Sequence, residues 1–176
     1  MKAHEKFTWR YYFQVIAQLL GQPRAFFSLL PVDLGMKRPL LVLIVSSIVF
    51  AVAGIVSRMP ADPVIWGGVL FVNALGMVLI TAGAGFAVMV MTMGKRVAFA
   101  RFFSIYALSS GVALLVSWIP FTVWIAEPYK WWLIGTGMTR SLGFKRSQAV
   151  LIIAASISGV VLFFWSLLFL VAPPGG

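Results

Sequence analysis

The chain of 176 residues is 61% hydrophobic and only 10% charged, with a mean hydropathy of +1.01, whereas a soluble domain carries about a quarter charged residues. Apolar runs of about 18 residues or more recur along it, which excludes a soluble globular protein and leaves an integral membrane protein. The net charge of +10, from 14 Lys and Arg against 4 Asp and Glu, would suggest nucleic acid in a soluble chain, but in a membrane protein basic residues mark cytoplasmic helix ends and no nucleic-acid partner is expected.

Residues 1–38 precede the first apolar run. No clean apolar core stands there, because Lys2, Lys6, Arg10, Gln14, Gln18 and Arg24 interrupt it; the pattern is not that of a signal peptide, and the first span is expected to stay in the protein. In "FTWRYYFQVIAQLL", Phe13, Ile16 and Leu20 with Val15 and Leu19 fall at helical spacing, and Arg10, Gln14 and Gln18 lie off that stripe. This is an amphipathic helix, either lying among headgroups or packing on the protein's own bundle. Gly21 and Pro23 end it, and "RAFFSLL" reads as a second short interfacial turn.

The spans follow in order, at about 39–56, 64–93, 102–119, 129–142 and 149–171, with a short tail at 172–176. Lys37 and Arg38 stand just before the first, and Pro39 suits a first helical turn. The prolines of "SRMPADP" force a loop after it. The second is ~45 Å long as a helix against a core ~30 Å thick, so it must tilt, protrude or kink. "TAGAGFA" (Thr81–Ala87) is the expected place for a kink or a close helix contact.

The fourth segment decides the topology. Tyr129–Leu142 is ~21 Å as a helix, short for a crossing. Charge argues the other way. If it spans, the chain crosses five times and 12 of the 14 basic residues share one side, leaving only Arg58 and Lys130 opposite. If it turns back, the split falls to 9 against 5. The segregated arrangement is the positive-inside pattern. Tyr129, Trp131 and Trp132 then form an outer aromatic belt, and the short helix is expected to be buried among the other four, with the Gly135-Thr136-Gly137 run allowing close approach. The alternative is a re-entrant or interfacial helix.

Chemistry-bearing groups are scarce. The one histidine, His4, is far from any span, and the four acids, Glu5, Asp33, Asp62 and Glu127, fall in loops or near ends. Without cysteine there is no disulfide and no thiolate metal site. Hydrolytic and metal chemistry both need clusters that this chain does not offer. No enzyme activity, cofactor or metal is expected. Asn73 and Thr81 are the polar residues inside the second span; they line a path or, more simply, bond between helices. Gly83 and Gly85, with Gly135 and Gly137, join them as candidate packing or pathway positions. Small residues also recur at spacing four, as in Ser47/Ala51, Gly83/Ala87, Ser109/Ala113/Ser117 and Ala155/Gly159. Such faces serve packing within the chain or an oligomer seam.

The order of motifs resembles the Yip1 domain family of five-span membrane proteins. The residues carrying the likeness are Pro23, Phe26 and Phe27 before the first span, Phe103 and Tyr106 after the basic turn "GKRVAFAR", and Gly135, Ser147 and Ala149 leading into the last span. The likeness covers roughly residues 20–171. It implies a cytosolic N-terminus, five helices, a C-terminus on the far side and no catalytic residues. Eukaryotic members of that family look like adaptors in vesicle traffic that engage small GTPases through a long cytosolic N-terminal region. Here only about 38 residues stand in that place, so GTPase binding does not carry over. Short relatives are mostly bacterial.

The sequence therefore predicts an all-α integral membrane protein: a five-transmembrane-helix bundle with an N-terminal amphipathic interfacial helix. It is expected in a bacterial inner membrane, with no nucleic-acid partner and no cofactor. The expected role is a non-enzymatic scaffold or membrane-organising partner; the rival is a small-molecule or lipid transporter using the Gly-interrupted second span. The candidate working surface is the basic face of Arg10, Arg24, Lys37, Arg38, Lys95, Arg96, Arg101, Arg140, Lys145 and Arg146, meeting anionic lipids, a second copy or another membrane protein. The simpler account is that these charges only set topology.

Overall fold

A computed structural model describes residues 8–31, 34–93 and 97–171. Within them the chain is helical and without strands: α1 (Trp9–Gly21), α2 (Pro23–Ser28), α3 (Lys37–Arg58), α4 (Pro63–Met93), α5 (Phe99–Ser117), α6 (Val123–Ser141) and α7 (Arg146–Val171). Three of these, α3, α4 and α5, are long and apolar enough to cross a membrane, and α7 adds an apolar stretch over Arg146–Leu162. By comparison α6 carries three charges, Glu127, Lys130 and Arg140. The expectations for Lys2, His4, Glu5, Lys6, Asp33, Lys95, Arg96 and the tail at 172–176 fall outside the described residues.

Local chemistry explains the element ends. Thr8 starts α1 by accepting the Tyr11 N–H on its Oγ1 at 3.3 Å, which satisfies one of the donors a helix start leaves open. Pro23 opens α2 at a position where its missing N–H costs nothing. Pro39 stands third in α3, again among N–H groups that have no partner inside the helix. The loop after α3 begins at Met59 in the left-handed region and α4 starts at Pro63. Thr81–Ala87, the expected place for a kink or a close helix contact, lies within α4, which runs as one helix of 31 residues, ~46 Å, and holds a close contact at Gly85 with Tyr106 and Ser156.

The fourth long helix differs most from the sequence reading. It begins at Val123, ahead of the aromatic run, and has 19 residues, or ~28 Å, close to the ~30 Å of a hydrocarbon core. Pro128 made the sequence read as a break. Inside α6 it forfeits one backbone bond, to the Trp124 carbonyl, without ending the helix. The other end is shaped by Gly143, whose φ of +66° lets the Phe144 N–H return to the Met138 carbonyl at 3.2 Å.

The enclosed helix is α5, not the Gly-centred α6 as the sequence led us to expect. Every residue from Phe102 to Ala113 is buried, and α5 packs on α3, α4, α6 and the N-terminal helix. Its small side chains explain this. Ser104, Ala107, Ser109, Ser110, Gly111 and Ala113 let neighbouring backbones come close; a methyl on Gly111 would stand 3.3 Å from Ser46 Oγ and 3.5 Å from a Val42 methyl of α3. Toward α4 the contact is aromatic: Phe86 meets Phe99 and Phe102 edge-on at 5.1 and 5.7 Å, and Phe102 stacks on Tyr106 at 5.1 Å.

The N-terminal helix packs on the bundle, one of the two readings of its sequence. Tyr12, Val15, Ile16 and Leu19 are buried in the same core as α3 to α7, while Phe13 and Leu20, expected on that stripe, face outward with Trp9. Tyr12 Oη and Ser46 Oγ of α3 share a buried hydrogen bond of 3.0 Å. Tyr129 Oη of α6 donates to the Leu19 carbonyl at 3.2 Å. Phe27 of α2 lies against Gly137, further along α6. The turn between α1 and α2 thus sits beside Tyr129, and the pair forms a helical hairpin. Tyr129 stands 12 residues, ~18 Å, before the end of α6, so the hairpin reaches well into the bundle.

Candidate functional site

Two concave regions of the bundle have charged side chains at their borders. The first, about 450 Å³, lies among α3 to α7 and is bordered by Asn73 and Thr81 of α4, Ser110 and Ser117 of α5, and Glu127 and Lys130 of α6. One α-helical turn brings Glu127 and Lys130 together: Lys130 Nζ lies 2.6 Å from both carboxylate oxygens. The ammonium also sits 5.0 Å from the centre of the Trp131 ring, a cation–π contact. Sequence reading placed these two charges at helix ends and missed them as a pair. The signal was their i, i+3 spacing, hidden by the belief that the helix began only at Tyr129.

This cavity is modest as a path. Thr81 spends its hydroxyl on its own helix, donating to the Met77 carbonyl at 2.7 Å and the Val78 carbonyl at 3.1 Å. One turn on, Gly85 is covered: an added methyl would lie 2.5 Å from Tyr106 Oη and 2.7 Å from Ser156 Oγ. Asn73 is exposed at the cavity margin. Of the other small candidates, Gly83 meets open space, Gly135 only a terminal methyl of Ile153 at 3.5 Å, and Gly137 is tight against Ile105 and Phe27.

The second region is a groove of about 520 Å³ between α2, α6 and α7. Arg24, Arg140 and Arg146 border it, one from each helix, over a floor that includes Trp131, Trp132 and Ile153. The other basic candidates take separate places. Arg10, Lys37 and Lys145 are exposed. Arg38 lies with its guanidinium carbon 5.6 Å from the centre of the Tyr11 ring. Burial pushes the Tyr11 phenol above its ordinary range and Arg38 opposes this, so the ring under the cation is neutral at pH 7. Arg101 points inward: its Nη2 donates to the Ser141 carbonyl at 2.7 Å, a cation at the C-terminus of α6. Among the described residues no three His, Asp or Glu side chains gather to hold a metal ion.

A strand-free bundle with three membrane-length apolar helices defines a multi-pass α-helical membrane protein. Within that class the chain belongs to the Yip1 domain family, whose profile matches residues 17–168, from the second half of α1 to near the end of α7. No curated protein and no solved structure matches the chain. The matched range takes in the inner half of the hairpin together with α3 to α7, the unit that shares one core.

Proposed function

We propose that this protein is a non-enzymatic membrane-organising component of a bacterial inner membrane, crossing it five times through α3 to α7, with its N-terminus in the cytoplasm and its C-terminus outside. The observation that carries the reading is the hairpin of α1 and α2. It adds two helices to one end of a five-helix bundle and turns Trp9, Phe13, Leu20 and Leu29 outward as apolar surface. A body broader in one leaflet than in the other displaces lipid asymmetrically and orders the bilayer around it. The exposed basic residues Arg10, Arg24, Lys37, Arg140, Lys145 and Arg146 would meet anionic lipids or a partner protein.

A second reading, transport of a small solute, is favoured by the cavity with the Glu127–Lys130 pair at its edge. Reconstitution separates the two. The full chain is placed in vesicles loaded with small fluorescent solutes of either charge, and vesicle diameter and solute release are followed together. A protein-dependent change in diameter with retained solute supports the organising role. Selective release that Glu127→Gln abolishes, with unchanged diameters, would replace it by transport.

A further inference from the structure

We propose that the groove bordered by Arg24, Arg140 and Arg146 is a binding site for one anionic phospholipid, with the headgroup phosphate between the guanidinium groups and an acyl chain on the tryptophan floor. Three observations converge. The arginines come from three different helices, α2, α6 and α7, yet border one groove. They are uncompensated: among the described residues the ion pair is Lys130–Glu127, and no carboxylate borders this groove. Arg24 also belongs to the hairpin, two residues after the turn at Gln22 and three before Phe27, which lies on Gly137. Exposed guanidinium groups bordering a groove without a carboxylate are open to an anionic partner.

The shape selects a lipid over a free anion. The groove extends along α6 from Trp131 to Arg140, nine residues or ~14 Å, with its arginine at one end and Trp131, Trp132 and Gly135 along the rest. Guanidinium forks match phosphate oxygens in a bidentate manner, and their planar faces also rest on aromatic rings. Inorganic phosphate would use the arginines and leave the apolar floor bare.

This site deepens the proposed role of the basic face without depending on bilayer shaping. Vesicle diameters can respond while lipid selectivity is absent, or the reverse. The test uses the full chain in mild detergent, titrated with phosphatidylglycerol or phosphatidylcholine of identical acyl chains, and counts retained lipids by native mass spectrometry. One phosphatidylglycerol is expected to stay bound preferentially. Each of Arg24→Gln, Arg140→Gln and Arg146→Gln should weaken its retention about fivefold, whereas Arg10→Gln and Lys37→Gln outside the groove should not. Brominated phosphatidylglycerol should quench the wild-type protein more than Trp131→Phe/Trp132→Phe, a readout independent of whether the arginine variants fold. Equal retention of the two lipids would overturn the site. So would equal losses from the control variants, or displacement by millimolar inorganic phosphate, which would mark a free-anion site.

Discussion

Glycines that look equivalent in the sequence are not equivalent in the bundle. Gly135 and Gly137 are separated by one residue of α6, yet a methyl on Gly135 would find only Ile153 Cδ1 at 3.5 Å, ordinary contact, while one on Gly137 would stand 2.5 Å from Ile105 Cγ2 and 3.1 Å from the Phe27 ring. Ile105 is β-branched and buried, so it cannot swing aside. Gly83 and Gly85 of α4 repeat the contrast, the first open and the second closed by Tyr106 and Ser156. We expect Gly135→Ala and Gly83→Ala to leave the thermal midpoint in detergent close to wild type. Gly137→Ala and Gly85→Ala should each cost about 1–3 kcal/mol, the usual penalty of overpacking. Equal midpoints for all four would show that the helices part easily at these positions. The sequence marks such glycines by spacing alone. Which of two neighbours is tight depends on the rotation of the helix against partners more than twenty residues away in the chain, and no local pattern encodes it.

At the scale of elements, the sequence revealed the long apolar helices well, because runs of apolar residues bounded by proline and charge are set by solvent alone. It misplaced the start of α6, since Pro120 and Pro128 look alike as breakers and only Pro128 is absorbed into a helix. It also left the partner of α1 open, because Tyr12, Val15, Ile16 and Leu19 turn inward while the outward face mixes Trp9, Phe13 and Leu20 with Arg10, Gln14 and Gln18. The join between α5 and α6 has its own test. Arg101, at the start of α5, donates to the Ser141 carbonyl at the end of α6, and a charged hydrogen bond to an otherwise open helix end contributes about 1.5–3 kcal/mol. Arg101→Ala should lower the midpoint accordingly and speed amide exchange in the last turn of α6. Arg101→Lys keeps the cation and should recover part of the loss. An alanine variant as stable as wild type would show that water serves that carbonyl equally well. The hairpin is anchored less strongly. Removing the Tyr12 hydroxyl with Tyr12→Phe gives up one buried bond to Ser46, and exchange should rise in α1 ahead of the other helices, with a cost of about 0.6 kcal/mol typical of bonds between membrane helices.

For the whole molecule the open question is how many times the chain crosses, and charge and geometry address it separately. Charge speaks through segregation: with five crossings 12 of 14 basic residues share one side, the distribution that orients membrane proteins. Geometry speaks through length. A segment that looked ~21 Å long is a helix of 19 residues, ~28 Å, so crossing no longer demands a thinned bilayer. Its charges also suit a crossing, since Glu127 and Lys130 neutralise each other near one end and Arg140 lies at the other. The hairpin of α1 and α2 approaches α6 over the stretch from Tyr129 to Gly137, so part of the cost of burying polar backbone near the Gly-rich run is met by protein rather than lipid. We therefore expect a reporter active only outside the membrane to be active when fused after Gly176 and silent when fused after Gly94, with a reporter active only inside giving the inverse result. Should both fusions report inside, α6 turns back, Arg140 and Arg146 pass to the side opposite Arg24, and the five-crossing proposal falls together with the lipid groove. With the expected pattern, Arg24, Arg140 and Arg146 stand in the leaflet that is rich in anionic lipid, and the groove between α2, α6 and α7 has its ligand at hand.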